Sequence, residues 1–295
     1  MHNERIVVFG GSGFIGGYVL QELHQRGYLN IINADISDSP DLYFAEYISC
    51  DILDINKVSS IVEQGDYIFN FAGLAHLDTA VNKPLETMQL NVMGNLHILE
   101  SCRKLSIKRF IFASSAYAMS NKGSFYGISK LSSEKLIEEF GLRYNLPYTI
   151  LRYGSVYSER KFENNYIYNL VEQAIKKGLI EHDGDGQEIR EYIHAADVAR
   201  LSVDILEDPS YLNQHVVLTG AERLKRVELF EMIREILNNK VKIHLSTDSG
   251  GHHYRITPYS FSATSSKKLS PRPFIDMGQG VLECIKDVYA KNKSE

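Results

Sequence analysis

Tryptophan is absent and cysteine is scarce: of 295 residues only three are cysteine, Cys50, Cys102 and Cys284. They lie far apart, are odd in number, and show neither a CxxC nor a Cys/His ligand spacing. A disulfide framework or structural zinc is therefore not expected, and buried thiols in a reducing compartment are. A basic excess is also missing. The net charge is −5, with 32 Lys+Arg against 37 Asp+Glu, so neither nucleic acid nor an anionic membrane is an expected partner. No apolar run is long enough to cross a bilayer. The strand-like segment Arg5–Phe9 leaves no room for the basic and apolar regions of a secretory leader. A soluble, cytoplasmic protein is expected. Internal repeats and low-complexity segments are lacking too. The pair His252-His253 has no third ligand at a recognisable spacing, so no metal is expected.

What the chain does contain is alternation. Short β-rich runs at Arg5–Phe9, Asn30–Asn33, Tyr47–Cys50, Tyr67–Asn70, Arg109–Ala113 and Tyr148–Tyr153 are almost continuously apolar, as parallel strands covered on both faces must be. Helical patterns over Phe14–Arg26, Ile55–Glu63, Leu85–Lys104 and Tyr126–Leu142 separate them. This order predicts an α/β fold with a doubly wound parallel sheet. After Tyr153 the pattern loosens. A helix is expected over Tyr166–Lys177, a turn at Asp183–Gly186, a return to the sheet domain from Tyr192–His194 through Ala195–Leu206, and one more strand at Val216–Leu218. Val227–Leu237 and Met277–Ala290 read as helices of a smaller C-terminal lobe. Gly250–Pro273 reads as an irregular, ligand-facing segment. Residues 1–153 plus about 192–218 then form one domain, and about 154–191 plus 219–295 the smaller substrate-binding lobe.

Gly10-Gly11-Ser12-Gly13-Phe14-Ile15-Gly16 follows the first strand and opens the first helix. Glycine there permits a tight turn, close approach of a pyrophosphate to the backbone, and close helix–strand packing. The helix N-terminus then receives the anion. Asp35 ends the next strand at about the expected separation, and its carboxylate suits two ribose hydroxyls while repelling a 2′-phosphate. No arginine follows it directly (Ile36-Ser37-Asp38), so NAD is favoured over NADP. Further on, Tyr126 and Lys130 stand four residues apart on a helical pattern and so share a face. An ammonium beside a phenol stabilises the phenolate, which can then take a proton from a hydroxyl. Ser114 and Ser115 fall just past the strand Arg109–Ala113, at the carboxyl edge where open α/β sheets bind ligands.

With the glycine motif, the edge serines and the Tyr-x-x-x-Lys pair in this order, the chain resembles the extended short-chain dehydrogenase/reductases, the nucleotide-sugar epimerase/dehydratase family, from about Glu4 to Ala290. The resemblance implies that Gly10, Gly13, Phe14, Ile15 and Gly16 cradle NAD, that Asp35 holds its adenosine ribose, and that Asp51 and Ile52 flank the adenine. It implies that Phe71, Ala72 and Gly73 line the nicotinamide side, with Asn91 on the helix beside the sheet and Tyr153 near the nicotinamide. Tyr126 becomes the base and Lys130 its partner, which also binds the nicotinamide ribose. Ser115 bonds the reacting oxygen, with Ser114 the less favoured choice. Ser155 falls in the substrate site, Arg190 grips the substrate diphosphate and Arg255 adds a second cation, for which a guanidinium is suited by its fork of donors. Tyr254 and Tyr259 are candidates to stack on the base or to pack in the core.

The chain departs from the family pattern in three places. The Ser115–Tyr126 interval is short, Gly154-Ser155 replaces an asparagine, and Ala116-Tyr117 stands where the 4,6-dehydratases carry acids, which disfavours dehydration. The reading is an NAD-dependent oxidation of a nucleotide-diphosphate sugar, foremost at carbon 4, by a 4-epimerase or 4-dehydrogenase of surface-polysaccharide biosynthesis. The alternatives are a keto-sugar reductase of the same family or a catalytically silent NAD-binding regulator. By resemblance a homodimer is expected, formed through Leu85–Lys104 and Tyr126–Leu142.

Overall fold

The computed structural model describes residues 2–246, 255–256 and 267–293. In chain order the elements are β1 (His2–Phe9), α1 (Phe14–Gln25), β2 (Tyr28–Asp35), β3 (Glu46–Ser49), α2 (Ile55–Val62), β4 (Tyr67–Asn70), α3 (Leu77–Asn82), α4 (Pro84–Met88), α5 (Asn95–Cys102), β5 (Arg109–Ser115), α6 (Ser124–Tyr144), β6 (Tyr148–Tyr153), β7 (Ser155–Tyr157), α7 (Tyr166–Lys177), β8 (Leu179–Asp183), β9 (Ile189–His194), α8 (Ala195–Glu207), β10 (Gln214–Leu218), β11 (Arg223–Lys225), α9 (Arg226–Ile236), β12 (Lys242–Ser246), β13 (Lys267–Leu269) and α10 (Met277–Asn292).

Eight strands form one sheet in the order β13-β10-β6-β5-β4-β1-β2-β3, and every neighbouring pair is parallel. The order reverses between β1 and β4, which opens a crevice at the carboxyl ends of those strands. Along β1, Ile6 and Val8 face one apolar layer while Val7 and Phe9 face the other. Both layers are buried and apolar, which is why the run has no polar alternation. Each of these buried side chains contributes roughly 2 kcal/mol. Helix starts follow local chemistry: Asp54 caps α2 by accepting from the N–H groups of Asn56 and Lys57 at 3.1 Å.

Three sequence expectations are corrected. The single helix over Leu85–Lys104 is α4 and α5 joined through Gln89–Gly94, which winds in wider π-type turns. In that stretch the Asn91 carbonyl accepts from Ser133 Oγ at 2.8 Å, and Gly94 lies against Ile52, where a Cβ would approach Ile52 Cδ1 to 2.5 Å. Ser114 and Ser115 are the last two residues of β5 rather than loop residues. Tyr192–His194 ends β9, which belongs not to the main sheet but to a three-stranded sheet β11-β9-β7. The chain returns to the large sheet's helical cover only with α8, which packs on α1. The small sheet, the β12-β8 pair and helices α7, α9 and α10 surround a separate apolar core that includes Tyr157, Ile167, Phe230 and Val281. No helix among the described residues is long and apolar enough to cross a membrane.

Candidate active site

The glycine turn sits at the reversal point of the sheet. Gly10 has φ +77°, and a Cβ there would lie 2.5 Å from the Ala72 nitrogen and 2.7 Å from the Phe71 carbonyl carbon. The first turn and the loop after β4 therefore touch backbone to backbone. Gly13 begins α1 in an extended conformation, and its N–H reaches the Gly10 carbonyl at 3.1 Å. Gly16 has no room for a Cβ against the same carbonyl. Phe14 is buried and Ile15 partly so, both packed into the core. Asp35 accepts from Ser12 N–H at 3.0 Å and Ser37 N–H at 3.1 Å. Burial pushes its carboxyl above the usual carboxylate range, opposed by the N–H groups of Ser37, Ser12 and Ile36. The carboxylate thus stands beside the turn, held by backbone donors.

Of the other cofactor candidates, Asp51 is exposed and accepts from Leu53 N–H at 2.9 Å, while Ile52 is buried. Gly73 has φ +133°, and a Cβ there would lie against Asn91 Oδ1. Asn91, 2 % exposed, spends its amide on the protein: Oδ1 accepts from Leu74 N–H at 2.7 Å, and Nδ2 donates to Leu74 O at 3.0 Å and Ser129 Oγ at 2.9 Å. It braces the loop after β4 against α6. Tyr153 does not offer its hydroxyl to the crevice. That group meets Ser202 Oγ at 3.0 Å, and the ring stacks on Phe71 with centroids 6.2 Å apart.

On α6, Lys130 is buried and donates to the Ala113 carbonyl at 2.8 Å. Its ammonium lies 5.8 Å from the Tyr126 ring centroid and 4.9 Å from that of Phe112. Burial pushes the Lys130 ammonium down to about 8, opposed by the charge of Glu134. Tyr126 is half-buried and Tyr117 packs edge-on against it, centroids 6.1 Å apart. The short Ser115–Tyr126 segment is a tight turn, Ala116–Met119, that folds Tyr117 over Gly123; a Cβ on Gly123 would lie 2.6 Å from that ring. Ser115 Oγ caps this turn, accepting from Tyr117 N–H at 3.3 Å. Ser114 points elsewhere, donating to Glu134 Oε1 at 2.5 Å within the core. The two serines are thereby separated: the Ser115 hydroxyl lies against the Tyr117 backbone and the Ser114 hydroxyl against Glu134.

The position of Lys130 has a price that can be measured. Its folded-state value near 8 lies below the ordinary 10.5. The penalty is therefore complete below pH 8 and fades as pH rises toward 10.5, where both states have lost the proton. Lys130→Met is expected to be more stable than the native chain by about 1–2 kcal/mol at pH 7, after allowing for the lost bond to Ala113, with the difference shrinking by pH 10. Urea unfolding at the two pH values checks this, and a destabilised variant at pH 7 would contradict it.

In the smaller lobe, Arg190 is 3 % exposed and donates to Ile189 O at 3.0 Å and Arg255 O at 3.4 Å. The Arg255 side chain is largely exposed and pairs with Asp185 at 3.3 Å. Ser155 is half-buried at the start of β7, opposite Tyr192. Sequence reasoning missed Arg226, whose guanidinium lies 4.5 Å over the Tyr166 ring and 3.5 Å from His182 Nδ1. Beside it, His182 Nε2 faces Glu188 Oε2 at 3.5 Å, and Arg226 Nε is buried without a hydrogen-bond partner among the described residues. No sequence motif marks them; β8, the residue before β9, and α9 bring them together. His252, His253, Tyr254 and Tyr259 lie outside the described residues.

One carboxylate–histidine group, Glu159, His194 and Glu283, has ligand atoms within 4.8 Å of one another. His194 Nδ1 accepts the Ala196 N–H at 3.2 Å, so Nε2 carries the proton and faces Glu159 Oε2 at 3.1 Å. That proton occupies the place a metal would need.

The family model described as "NAD dependent epimerase/dehydratase family" matches residues 6–219. The chain belongs to this family. It is an enzyme, and NAD is its cofactor. It is 26% identical over 310 residues to a putative UDP-glucose 4-epimerase of Methanocaldococcus jannaschii, covering 98% of this chain and 100% of that one. It is 24% identical to a low-salt glycan biosynthesis protein of Haloferax volcanii, covering 96% and 98%. Among solved structures, a UDP-glucuronic acid 4-epimerase of Bacillus cereus, in complex with UDP-glucuronic acid and NAD, superposes with a TM-score of 0.86 at 20% identity, over 97% of this chain and 99% of that one. The Gly10 cradle and the backbone-held Asp35 fit the cofactor that the family uses.

Proposed function

We propose that this family member acts on a nucleotide-diphosphate sugar as a 4-epimerase, with Tyr126 as the base. The observation that carries the reading is the buried Lys130 ammonium 5.8 Å from the Tyr126 ring, on the helix beside the β5 end that bears Ser115. A positive charge beside a phenol lowers the cost of the phenolate, so Tyr126 can take the proton of a sugar hydroxyl. Ser115 donates to the same oxygen and holds it in place. Bound NAD supplies the hydride acceptor. Gly10, Gly13 and Gly16 leave the backbone open to its pyrophosphate, and Asp35 takes the adenosine ribose. Ser155 and Arg190 hold the substrate. The half-buried Arg226, absent from the sequence-based choice, supports a second anion contact better than the exposed Arg255 does.

The choice of 4-epimerase is supported by the relatives' activities and by Ala116-Tyr117. The Tyr117 ring occupies the position beside the base where dehydration would require an acid. A 4-dehydrogenase would share every step up to the keto sugar. The glycan-biosynthesis relative supports a role in making sugars for surface polysaccharides.

The deciding experiment incubates the NAD-loaded enzyme with UDP-glucose, UDP-glucuronic acid and guanine-linked sugars, partly in heavy water, and reads mass, chromatography and absorbance near 340 nm. Epimerisation gives a new peak of unchanged mass with no lasting absorbance. Loss of two hydrogens with accumulating NADH replaces epimerase by dehydrogenase. Nucleotide sugars that bind but are never altered would end the catalytic reading.

We also propose a homodimer through α4–α5 and α6. Leu85, Met93, Ile128 and Leu131 on this stretch are exposed large apolar side chains, of the kind that mark association surfaces. Light scattering at micromolar concentration is expected to give twice the 33.5 kDa chain mass; a monomer would refute it.

A further inference from the structure

Helix α6 carries Tyr126, Lys130, Glu134 and Glu138 at strict four-residue intervals, so all four lie along one stripe. Nothing in the chemistry above uses Glu134, yet it is 0 % exposed. A buried carboxylate is costly unless every lone pair is answered, and here the answers come from separate strands. Arg152 of β6 meets it in a fork, Nε to Oε1 at 2.9 Å and Nη2 to Oε2 at 2.7 Å. Ser114 of β5 donates to Oε1 at 2.5 Å. His215 of β10 brings Nδ1 to 3.8 Å from Oε2 and turns Nε2 toward Glu138 at 3.0 Å.

These partners are next-door neighbours of the site. Ser114 precedes Ser115, Arg152 precedes Tyr153, and the pairs Ser114↔Arg152 and Ser115↔Tyr153 are adjacent rungs of the β5–β6 ladder. One carboxylate thus ties the strand ends that deliver Ser115 to the helix that delivers Tyr126 and Lys130. It also stands one helical turn beyond Lys130, whose ammonium meets the Ala113 carbonyl and lies near the Phe112 and Tyr126 rings.

We propose that Glu134 is a positioning residue for the reaction: it clamps β5 and β6 to α6 and supplies the negative charge that keeps the Lys130 ammonium protonated beneath Tyr126. The inference rests on the Tyr126–Lys130 reading and goes beyond it. His215 is held below the usual imidazole range by burial and then by Arg152, so it adds a neutral ring rather than a competing cation. Of the charged groups at this point, Glu134 is the one whose charge opposes the burial of Lys130.

The test uses Glu134→Gln in the NAD-loaded enzyme. The expected result is a fall of tenfold or more in kcat with KM little changed. The alkaline limb of the kcat profile should also move down by about one pH unit, because Lys130 loses its proton earlier. Glu134→Asp keeps the charge but shortens the reach, so it should lower kcat and leave the limb in place. If Glu134→Gln does not fold because Arg152 loses its carboxylate partner, Glu134→Gln/Arg152→Gln removes both buried charges and should show a limb displaced in the same direction. A limb that stays at its native pH in Glu134→Gln, or in Glu134→Gln/Arg152→Gln where only the double variant folds, would overturn the proposal, since a purely structural clamp lowers kcat without moving it. Native activity in Tyr126→Phe would instead defeat the underlying assignment of the base.

Discussion

Tyr126→Phe is expected to lower kcat by roughly 10²- to 10⁴-fold, the range for loss of a positioned acid–base group, while leaving NAD affinity and folding close to native. The phenyl ring keeps the edge-on contact with Tyr117 and stays near the Lys130 ammonium; only the ionisable oxygen is removed. The loss should fall on kcat because the proton leaves the sugar hydroxyl in the transition state rather than on binding. Residual turnover should lose the part of its pH dependence that a titrating base imposes. The measurement is product formation with a turned-over nucleotide sugar, alongside a titration of NAD by fluorescence. A variant with native kcat would show that another group takes the proton. A variant that no longer binds NAD would show that the hydroxyl has a structural task.

Gly10→Ala should damage the protein before chemistry begins. Its φ of +77° is left-handed, which costs a residue with a Cβ about 1–2 kcal/mol. The added carbon would meet the backbone of Phe71 and Ala72 at 2.5–2.8 Å, and backbone cannot swing aside as a flexible side chain does. Overpacking of that kind costs about 1–3 kcal/mol. The expected loss of stability is therefore about 2–5 kcal/mol, with NAD binding weakened by about a hundredfold or more because the turn and the loop after β4 must part. Gly17→Ala is the control. A Cβ there meets only the Gly11 carbonyl, at 3.5 Å, inside α1, so it should be neutral or stabilising by up to about 1 kcal/mol. Urea melts and NAD titrations of both variants decide the matter; equal behaviour would remove the close backbone approach from the account.

The long-range character of the site explains how far sequence reasoning reached within it. Tyr126 and Lys130 are one helical turn apart, and Gly10 to Gly16 form one continuous turn, so local spacing exposed both. That the Ser114 hydroxyl turns into the core while that of Ser115 does not needed the ladder and the buried Glu134, because adjacent strand residues face opposite ways. Asn91 resembled a cofactor ligand until the wider turns of Gln89–Gly94 aimed its amide at Leu74 and Ser129. Arg226 was invisible because its neighbours His182 and Tyr166 come from other parts of the chain.

From its residue order alone the chain specified the alternating parallel architecture, the dinucleotide turn, the preference for NAD and the phenol–ammonium pair. Each rests on interactions within a few residues or on the two-sided burial of a strand. Tertiary structure alone decided which of the two serines turns its hydroxyl into the core, that β9 joins a small separate sheet, which arginine of the lobe is sheltered, and that a buried carboxylate ties α6 to β5 and β6. Those outcomes depend on side chains distant in sequence sharing one low-dielectric space, where an unanswered charge is too costly to persist.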